Sequence, residues 1–391
     1  MKNVWKVLSY ILVAFVASYL TMLLLPAMDQ AGIPLPDTAQ SAKLEQLKDL
    51  IEERYIGGAE EKELEDAAAH AMVMATGDRW SYYIPAEEYQ FYVDQMANSY
   101  VGIAITIQQT EEEDGFLVIK VDAGGPADKA GMLPGDRIVA VDGISTVGMT
   151  PNEGSLLVRG EEGTPVTLTI RRESEEFDLT MIRHQVEVQV ASGVMLPDNV
   201  GLVTIINFDS RCASETIAAV EDLLDQGAQA FIFDVRNNPG GYASQLVDVL
   251  DYLLPEGQLF RTVDYAGNET VDTSDAKHLD VPMAVLVNSE SYSAAEFFAA
   301  AMMDYEAAVV VGEKTIGKGY FQMNYRLNDG SAVNLSVGEY FTPKGKNLAG
   351  VGIVPHVEVE VDEETFLAIY ARTLDPMEDP QVLAALDALK K

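Results

Sequence analysis

Near Val200 the apolar residues of this chain change their rhythm, and few architectures accommodate the new one. Residues 201–206 read as a strand, 213–225 as a helix, 230–235 as a strand, 242–254 as a helix, 283–287 as a strand, 294–303 as a helix and 308–311 as a strand. Strands separated by helices of this length cannot be closed by tight turns, so the alternation predicts a parallel sheet with crossover connections. Residues 320–327 and 332–340 then form a hairpin around Asn328-Asp329-Gly330. Between Tyr100 and Arg171 the pattern differs. Residues 101–105, 115–119 and 166–171 read as strands, 126–130 as a short helix stopped by Gly131, and 135–143 as a strand closed by Asp142-Gly143. Short strands with glycine-rich turns predict a compact β-rich module.

Before that module, Leu44, Leu47, Leu50 and Ile51 fall at helical spacing, which predicts one helix over 41–56 and a second over 60–75, with Gly77 as its stop. Trp80, Tyr82, Tyr83, Tyr89, Phe91 and Tyr92 form a local aromatic cluster, read as core packing against these helices in preference to a ligand box. Gly32, Pro34 and Pro36 mark a linker, and the tail from Asp362 is acidic and helical. The expected fold class is therefore α/β and multi-domain. It comprises an N-terminal transmembrane anchor (1–26), a linker (27–40), a helical N-terminal region (41–98), a β-rich module (99–183), an α/β core (184–360) and a helical tail (361–391).

The anchor rests on the uncharged apolar run 7–25, which is long enough to cross a hydrocarbon core. Lys2 and Lys6 precede it, so the positive-inside rule sends the rest of the chain across the membrane, to an extracytoplasmic location. A cleaved signal peptide is the rival reading, but the run is long for one and no clear A-x-A site comes after it. The chain has 26 basic and 62 acidic residues, a formal charge of −36. That balance argues against nucleic-acid binding, which depends on Lys and Arg displacing counterions. A single cysteine, Cys212, excludes an internal disulfide and a cysteine-rich metal site, and only four histidines are present. No metal or cofactor is expected.

Gly312 to Lys318 reads G-x-x-x-x-G-K, but Gly319 stands where a P-loop needs a hydroxyl for Mg²⁺, and Tyr320-Phe321-Gln322-Met323 continues as strand where a helix is required. No G-x-S-x-G elbow occurs. The stronger pattern lies in Asn288 to Phe298, where a buried strand meets a serine-rich loop and an apolar helix. Ser293 and Glu296 have capping-box spacing, and a plain helix cap is one reading of Ser293. A nucleophile is the other, because a helix N-terminus offers free amides to a developing oxyanion. Lys318, flanked by Gly317 and Gly319, is either a surface turn lysine or a base made neutral by desolvation, and Ser-Lys pairs are a known variant of triad chemistry. Asn237-Asn238-Pro239-Gly240-Gly241 comes after the strand 231–235 and can aim a glycine amide into the crevice at its C-terminal end.

These blocks together resemble the carboxyl-terminal processing, or tail-specific, proteases, which are Ser-Lys peptidases. The family's S-A-S-A-S-E block is matched by Ser291-Tyr292-Ser293-Ala294-Ala295-Glu296, with Met303-Asp304-Tyr305 downstream. Its T-F-G-K-G-x-x-Q block is matched by Thr315 to Gln322, its D-x-R-x-N-P-G-G block by Asp234 to Gly241, and its Y-x-T-P-x-G block by Tyr340 to Gly345. Tyr292 and Ala295 replace Ala and Ser, Ile316 replaces Phe, and His356 stands where Asp is usual. The resemblance implies a serine endopeptidase with Ser293 as nucleophile, Lys318 as base and Gln322 as the orienter of that lysine. It also implies an oxyanion hole from Ala294 N–H with Gly240 or Gly241 N–H, in a ββα-type protease core. The β-rich module resembles a PDZ domain, with Val101, Gly102 and Ile103 matching the loop that receives a terminal carboxylate. The implied substrates are proteins or peptides with exposed, apolar C-termini. Arg159 is a candidate relay between the module and the active site, with a solvated turn arginine as the plainer reading. An oligomer or a regulatory partner is left open. The contrasting function is a catalytically silent PDZ scaffold, which the presence of Ser293, Lys318 and Gln322 disfavours.

Overall fold

The computed structural model of the chain describes residues 38–109 and 114–390. The apolar run 7–25 lies outside the described residues, and among those described no helix is long and apolar enough to cross a membrane. The chain divides into two units, one ending at Gly77 and the other running from Asp78. The first contains the helices Thr38–Arg54 and Glu61–Met74, linked by Lys48 Nζ at 2.6 Å from Glu61 Oε1 and 3.4 Å from Glu65 Oε1. Leu44, Leu47 and Leu50 remain exposed. The first helix takes in the last residues of the expected linker.

In the second unit the predicted parallel sheet is present. Its strand order is Ala191–Leu196, Val200–Ile205, Ala230–Asp234, Met283–Val287, Ala308–Gly312 and Val357–Glu358. The first pair is antiparallel and every other pair parallel. Both faces are covered, as parallel crossovers require. Phe231, Phe233, Val285 and Val287 pack with the helices Cys212–Asp225, Ala243–Leu253 and Ala294–Asp304, whereas the intervening Ile232, Ala284 and Leu286 pack with Pro380–Ala388. The period of two along each strand thus sorts alternate residues to opposite faces. The acidic tail supplies that lower layer. Its second helix is capped by Asp379, whose Oδ1 accepts Gln381 N–H at 2.9 Å.

A second sheet carries the predicted hairpin, Tyr320–Arg326 with Ala332–Phe341, together with Tyr82–Ile84 and a further hairpin, Gly257–Asp264 with Glu269–Ser274. This further hairpin has polar residues on both faces, so no apolar alternation announces it. Trp80 to Tyr92 is not a core cluster. Tyr83 is 9% exposed, but Phe91 is 47% exposed, and Tyr82 is also exposed. These residues belong to a strand at the edge of the second sheet and to the helix Tyr89–Met96.

The β-rich module folds around Phe116, Val118, Ile138, Leu168 and Ile170 in a sheet ordered Ile105–Gln109, Phe116–Val121, Arg137–Val141, Pro165–Arg172, Glu175–Ile182. The single strand expected over 101–105 is broken. Ser99–Gly102 pairs with His184–Glu187, so the two connections of the module are stitched to each other. The chain then turns at Ala104, which has φ +63°, before entering the edge strand Ile105–Gln109. A helix, Pro151–Val158, is also absent from the sequence expectation because Gly154 weakens it, although Thr150 and Glu153 form a complete capping box with proline at its first position.

Candidate active site

Ser293 sits where the buried strand Met283–Val287 gives way to the helix Ala294–Asp304. The loop between them is fastened to the Asn237–Gly241 loop. Asn237 N–H donates to Asn288 Oδ1 (2.9 Å), Asn288 Nδ2 to Asn237 Oδ1 (2.8 Å), Ser291 Oγ to the Val235 carbonyl (2.8 Å) and Tyr292 N–H to the Asn238 carbonyl (3.1 Å). Below them Arg236 joins Asp234 (2.6 Å) to Asp379 (2.7 Å), so the tail helix braces the same loop. Ser293 is 7% exposed and has φ +57°, ψ −126°. An ordinary N-cap has extended backbone, and a serine held in this region is strained, a condition that clusters at functional sites.

Glu296 completes a capping box with Ser293, as the spacing predicts, but its reach is wider. This fully buried carboxylate accepts Ser293 N–H (3.2 Å), the Thr315 hydroxyl (2.5 Å), Gly317 N–H (2.8 Å) and Lys318 N–H (2.8 Å). Burial pushes its carboxyl above the usual range, while the four donors pull the other way. One side chain therefore ties the backbone of Ser293 to the backbone of Lys318. The lysine's turn is tight: Gly317 has φ +85°, and a Cβ there would meet Gly352 N at 2.9 Å.

The Lys318 side chain is partly buried, with Nζ 4.7 Å from the centre of the Trp80 ring and 5.8 Å from that of Tyr292. Burial pushes its pKa down to about 8, against the opposing charges of Asp78 and Glu296. Gln322 lies on the next strand, and its Nε2 donates to the Tyr320 carbonyl (3.0 Å) and to Ser336 Oγ (3.0 Å). Ser336 in turn connects to the groups around Lys318: its N–H donates to Ser81 Oγ (2.9 Å), and its side chain hydrogen-bonds Asp78, whose charge acts on the lysine.

Of the two glycines considered for an oxyanion hole, Gly240 has its N–H committed to Asn238 Oδ1 (2.8 Å). Its Cα approaches the nucleophile closely: a Cβ on it would meet Ser293 Cβ at 2.7 Å and Ala294 N at 2.8 Å. Gly240 thus contributes space. His356, the departure from the family pattern, accepts Val310 N–H on Nδ1 (3.0 Å) at the sheet edge.

In the β-rich module a groove of about 1010 Å³ is bordered by the edge strand, the helix Pro151–Val158, the turn around residues 122–129 and the strand His184–Glu187. Gly102, Ile103, Ala104, Ile105 and Ile107 line it together with Pro151, Ser155 and Val158; Val101 is not among the lining residues. Arg159 lies at the groove's end with its guanidinium 4.9 Å from the Tyr100 ring and 5.8 Å from the Phe91 ring. The sequence signals Ser293 and Lys318 through their local setting together with the family blocks, and Glu296 only as a helix-cap partner. It does not signal Trp80 or Asp78 as site residues, since nothing in their local sequence links them to a lysine so far along the chain.

Residues 199–359 match the model of peptidase family S41, and residues 117–172 match the PDZ domain. The chain is 32% identical over 370 residues to the carboxy-terminal processing protease CtpA of Bacillus subtilis, an alignment covering 93% of this chain and 79% of that protein. It also resembles the solved photosystem II D1 C-terminal processing protease, at 27% identity and a TM-score of 0.48, covering 76% of this chain and 82% of that one. A structure described as an S41 protease from Bacteroides fragilis shares the fold at a TM-score of 0.51 and 21% identity, over 75% of this chain and 82% of the other. The chain belongs to peptidase family S41, as a carboxy-terminal processing serine protease with a PDZ domain.

Proposed function

We propose that this protease is a membrane-anchored, extracytoplasmic endopeptidase that takes apolar protein C-termini into its PDZ groove and cuts by a Ser-Lys mechanism. Neutral Lys318 accepts the Ser293 Oγ proton as Oγ attacks the scissile carbonyl. Ala294 N–H and Gly241 N–H receive the oxyanion, Gly241 being chosen because the Gly240 amide is already engaged. Lys318 returns the proton to the leaving amine, and water then hydrolyses the acyl-enzyme. Gln322 acts on the lysine through its surroundings. The observation that carries this reading is the Glu296 carboxylate shared by the Ser293 and Lys318 amides, which couples nucleophile and base loops in one buried unit. The anchor is proposed from the run 7–25 and its preceding lysines.

For recognition, the free edge of Ile105–Gln109 supports strand addition by an extended peptide, and Ile105, Ile107 and Val158 support an apolar last residue. Gly102 and Ile103 are the proposed carboxylate receivers from the predicted trio. Arg159 is proposed to relay groove occupancy through Tyr100 and Phe91.

In the purified full-length protein, Ser293→Ala should lower hydrolysis of an unfolded casein-type substrate by several orders of magnitude while leaving the fold intact. Lys318→Arg should be as inactive as Lys318→Ala, because arginine keeps the charge but does not deprotonate. Below a pKa of about 8 the amine is protonated and cannot act as base, so activity should rise as pH passes through about 8. Retained turnover in Ser293→Ala, a tenth of wild-type rate in Lys318→Arg, or a flat pH profile would overturn the mechanism. Protease shaving that finds the C-terminus on the cytoplasmic side would overturn the topology.

A further inference from the structure

Two aromatic rings face the lysine on which the Ser-Lys reading depends, and they come from distant parts of the sequence. The Trp80 and Tyr292 ring centres are 5.6 Å apart and inclined by 31°, with Lys318 Nζ 4.7 and 5.8 Å from them respectively. Both distances fall within the ~6 Å over which an ammonium feels an aromatic quadrupole. Tyr292 immediately precedes the nucleophile, so its ring travels with the Ser293 backbone. Trp80 is fixed independently. Its backbone N–H donates to Asp78 Oδ1 (3.1 Å), the other Asp78 oxygen accepts the Ser81 hydroxyl (2.5 Å), and the Trp80 carbonyl accepts a bond from Asn334 Nδ2 (3.4 Å).

We propose that Trp80 and Tyr292 are positioning residues, a pair of rings that fix where the Lys318 amine sits and exclude water from it so that it can serve as the base. The proposal rests on the Ser-Lys reading. The rings act in two opposing senses: their faces attract the ammonium, whereas their bulk strips its hydration and favours the neutral amine. The charged and titratable groups facing this region are Asp78 and Glu296, which favour the ammonium, the Tyr292 phenol, and Arg79, whose guanidinium also lies over Trp80 at 4.4 Å. Burial is the largest influence on Lys318 and exceeds the pull of both carboxylates. In this proposal water exclusion by the rings outweighs their attraction for the ammonium, so opening either should raise the pKa of the amine and shrink the neutral fraction left at pH 7.

The test is the pH profile of kcat/KM for the full-length enzyme and for Trp80→Ala, Trp80→Phe and Tyr292→Ala, with Lys318→Ala as reference. In Trp80→Ala the rising limb should move up by about one pH unit, giving about tenfold lower kcat/KM at pH 7 and recovery near pH 10. Tyr292→Ala should move the same way by less, and Trp80→Phe should stay near wild type. If Trp80→Ala fails to fold, Tyr292→Ala and Trp80→Phe decide the matter. A limb that stays in place or moves down in Tyr292→Ala, or a loss in Trp80→Ala equal at every pH, overturns the clamp alone. Activity persisting in Lys318→Ala overturns the Ser-Lys reading instead, and the clamp with it.

Discussion

Around Ser293 the polar groups are tied to one another. Asn237, Asn238, Asn288, Ser291 and Glu296 all hold or receive backbone amides and carbonyls of the two loops. Along the PDZ groove the outer edge of Ile105–Gln109 has no neighbouring strand among the described residues, and Pro151, Ser155 and Val158 offer mostly apolar contact. The contrast reflects what each region must do. Chemistry needs donors and acceptors already in place, since reorganising them would raise the barrier. Recognition of an extended chain needs hydrogen-bonding capacity left open, so that the peptide completes the sheet.

If the contrast is sound, damage to the two regions should differ in kind as well as size. The largest effect beyond the nucleophile and the base themselves is expected from Glu296→Ala, which leaves three backbone amides and the Thr315 hydroxyl without their shared acceptor. Activity should fall by at least about a hundredfold, and stability by about 3 kcal/mol. Thermal melts and steady-state rates measure both, and near-normal values would mean the two loops hold their places without that carboxylate. Ile105→Asp should act on affinity alone. It should weaken binding of an apolar C-terminal peptide about tenfold, as expected for losing one apolar contact and introducing a charge, while cleavage of a short internally quenched peptide proceeds unchanged. Equal loss on both substrates would erase the distinction between the regions. The smallest effect is expected from Arg159→Leu, which removes its stacking on Tyr100 and Phe91. Interactions of this type contribute about 1 kcal/mol, so activation by a short, uncleaved C-terminal peptide should drop a few-fold. Pure inhibition by that peptide in the wild type would show that the module tethers substrate without gating the enzyme.

Much of the core is legible in the sequence because its signals are local. A continuous apolar strand such as Phe231-Ile232-Phe233, buried on both faces, or a serine with glutamate three residues later at a helix start, is written within a few positions. The elements that escape lack such signals. The strands Gly257–Asp264 and Glu269–Ser274 carry polar residues on both faces, and the helix Pro151–Val158 contains a glycine. The aromatic segment misleads for another reason: apolar mass usually marks a core, but here Trp80 lies against the Lys318 amine.

Residue order alone carries the serine-bearing helix start, the glycine-flanked lysine, the Asn-Asn-Pro-Gly-Gly loop and the change from β-rich module to strand–helix alternation, because short-range sterics and hydrophobic period encode these directly. Tertiary packing decides the rest. It brings Glu296 against the amides of Gly317 and Lys318, commits the Gly240 amide to Asn238 while its Cα makes room for the nucleophile, and sets Trp80 over a lysine far along the chain. A carboxylate's choice of donors and an amine's exposure to water depend on groups that meet only after the sheets have formed. The protonation state of Lys318 is therefore a property of the assembled crevice and of no single segment.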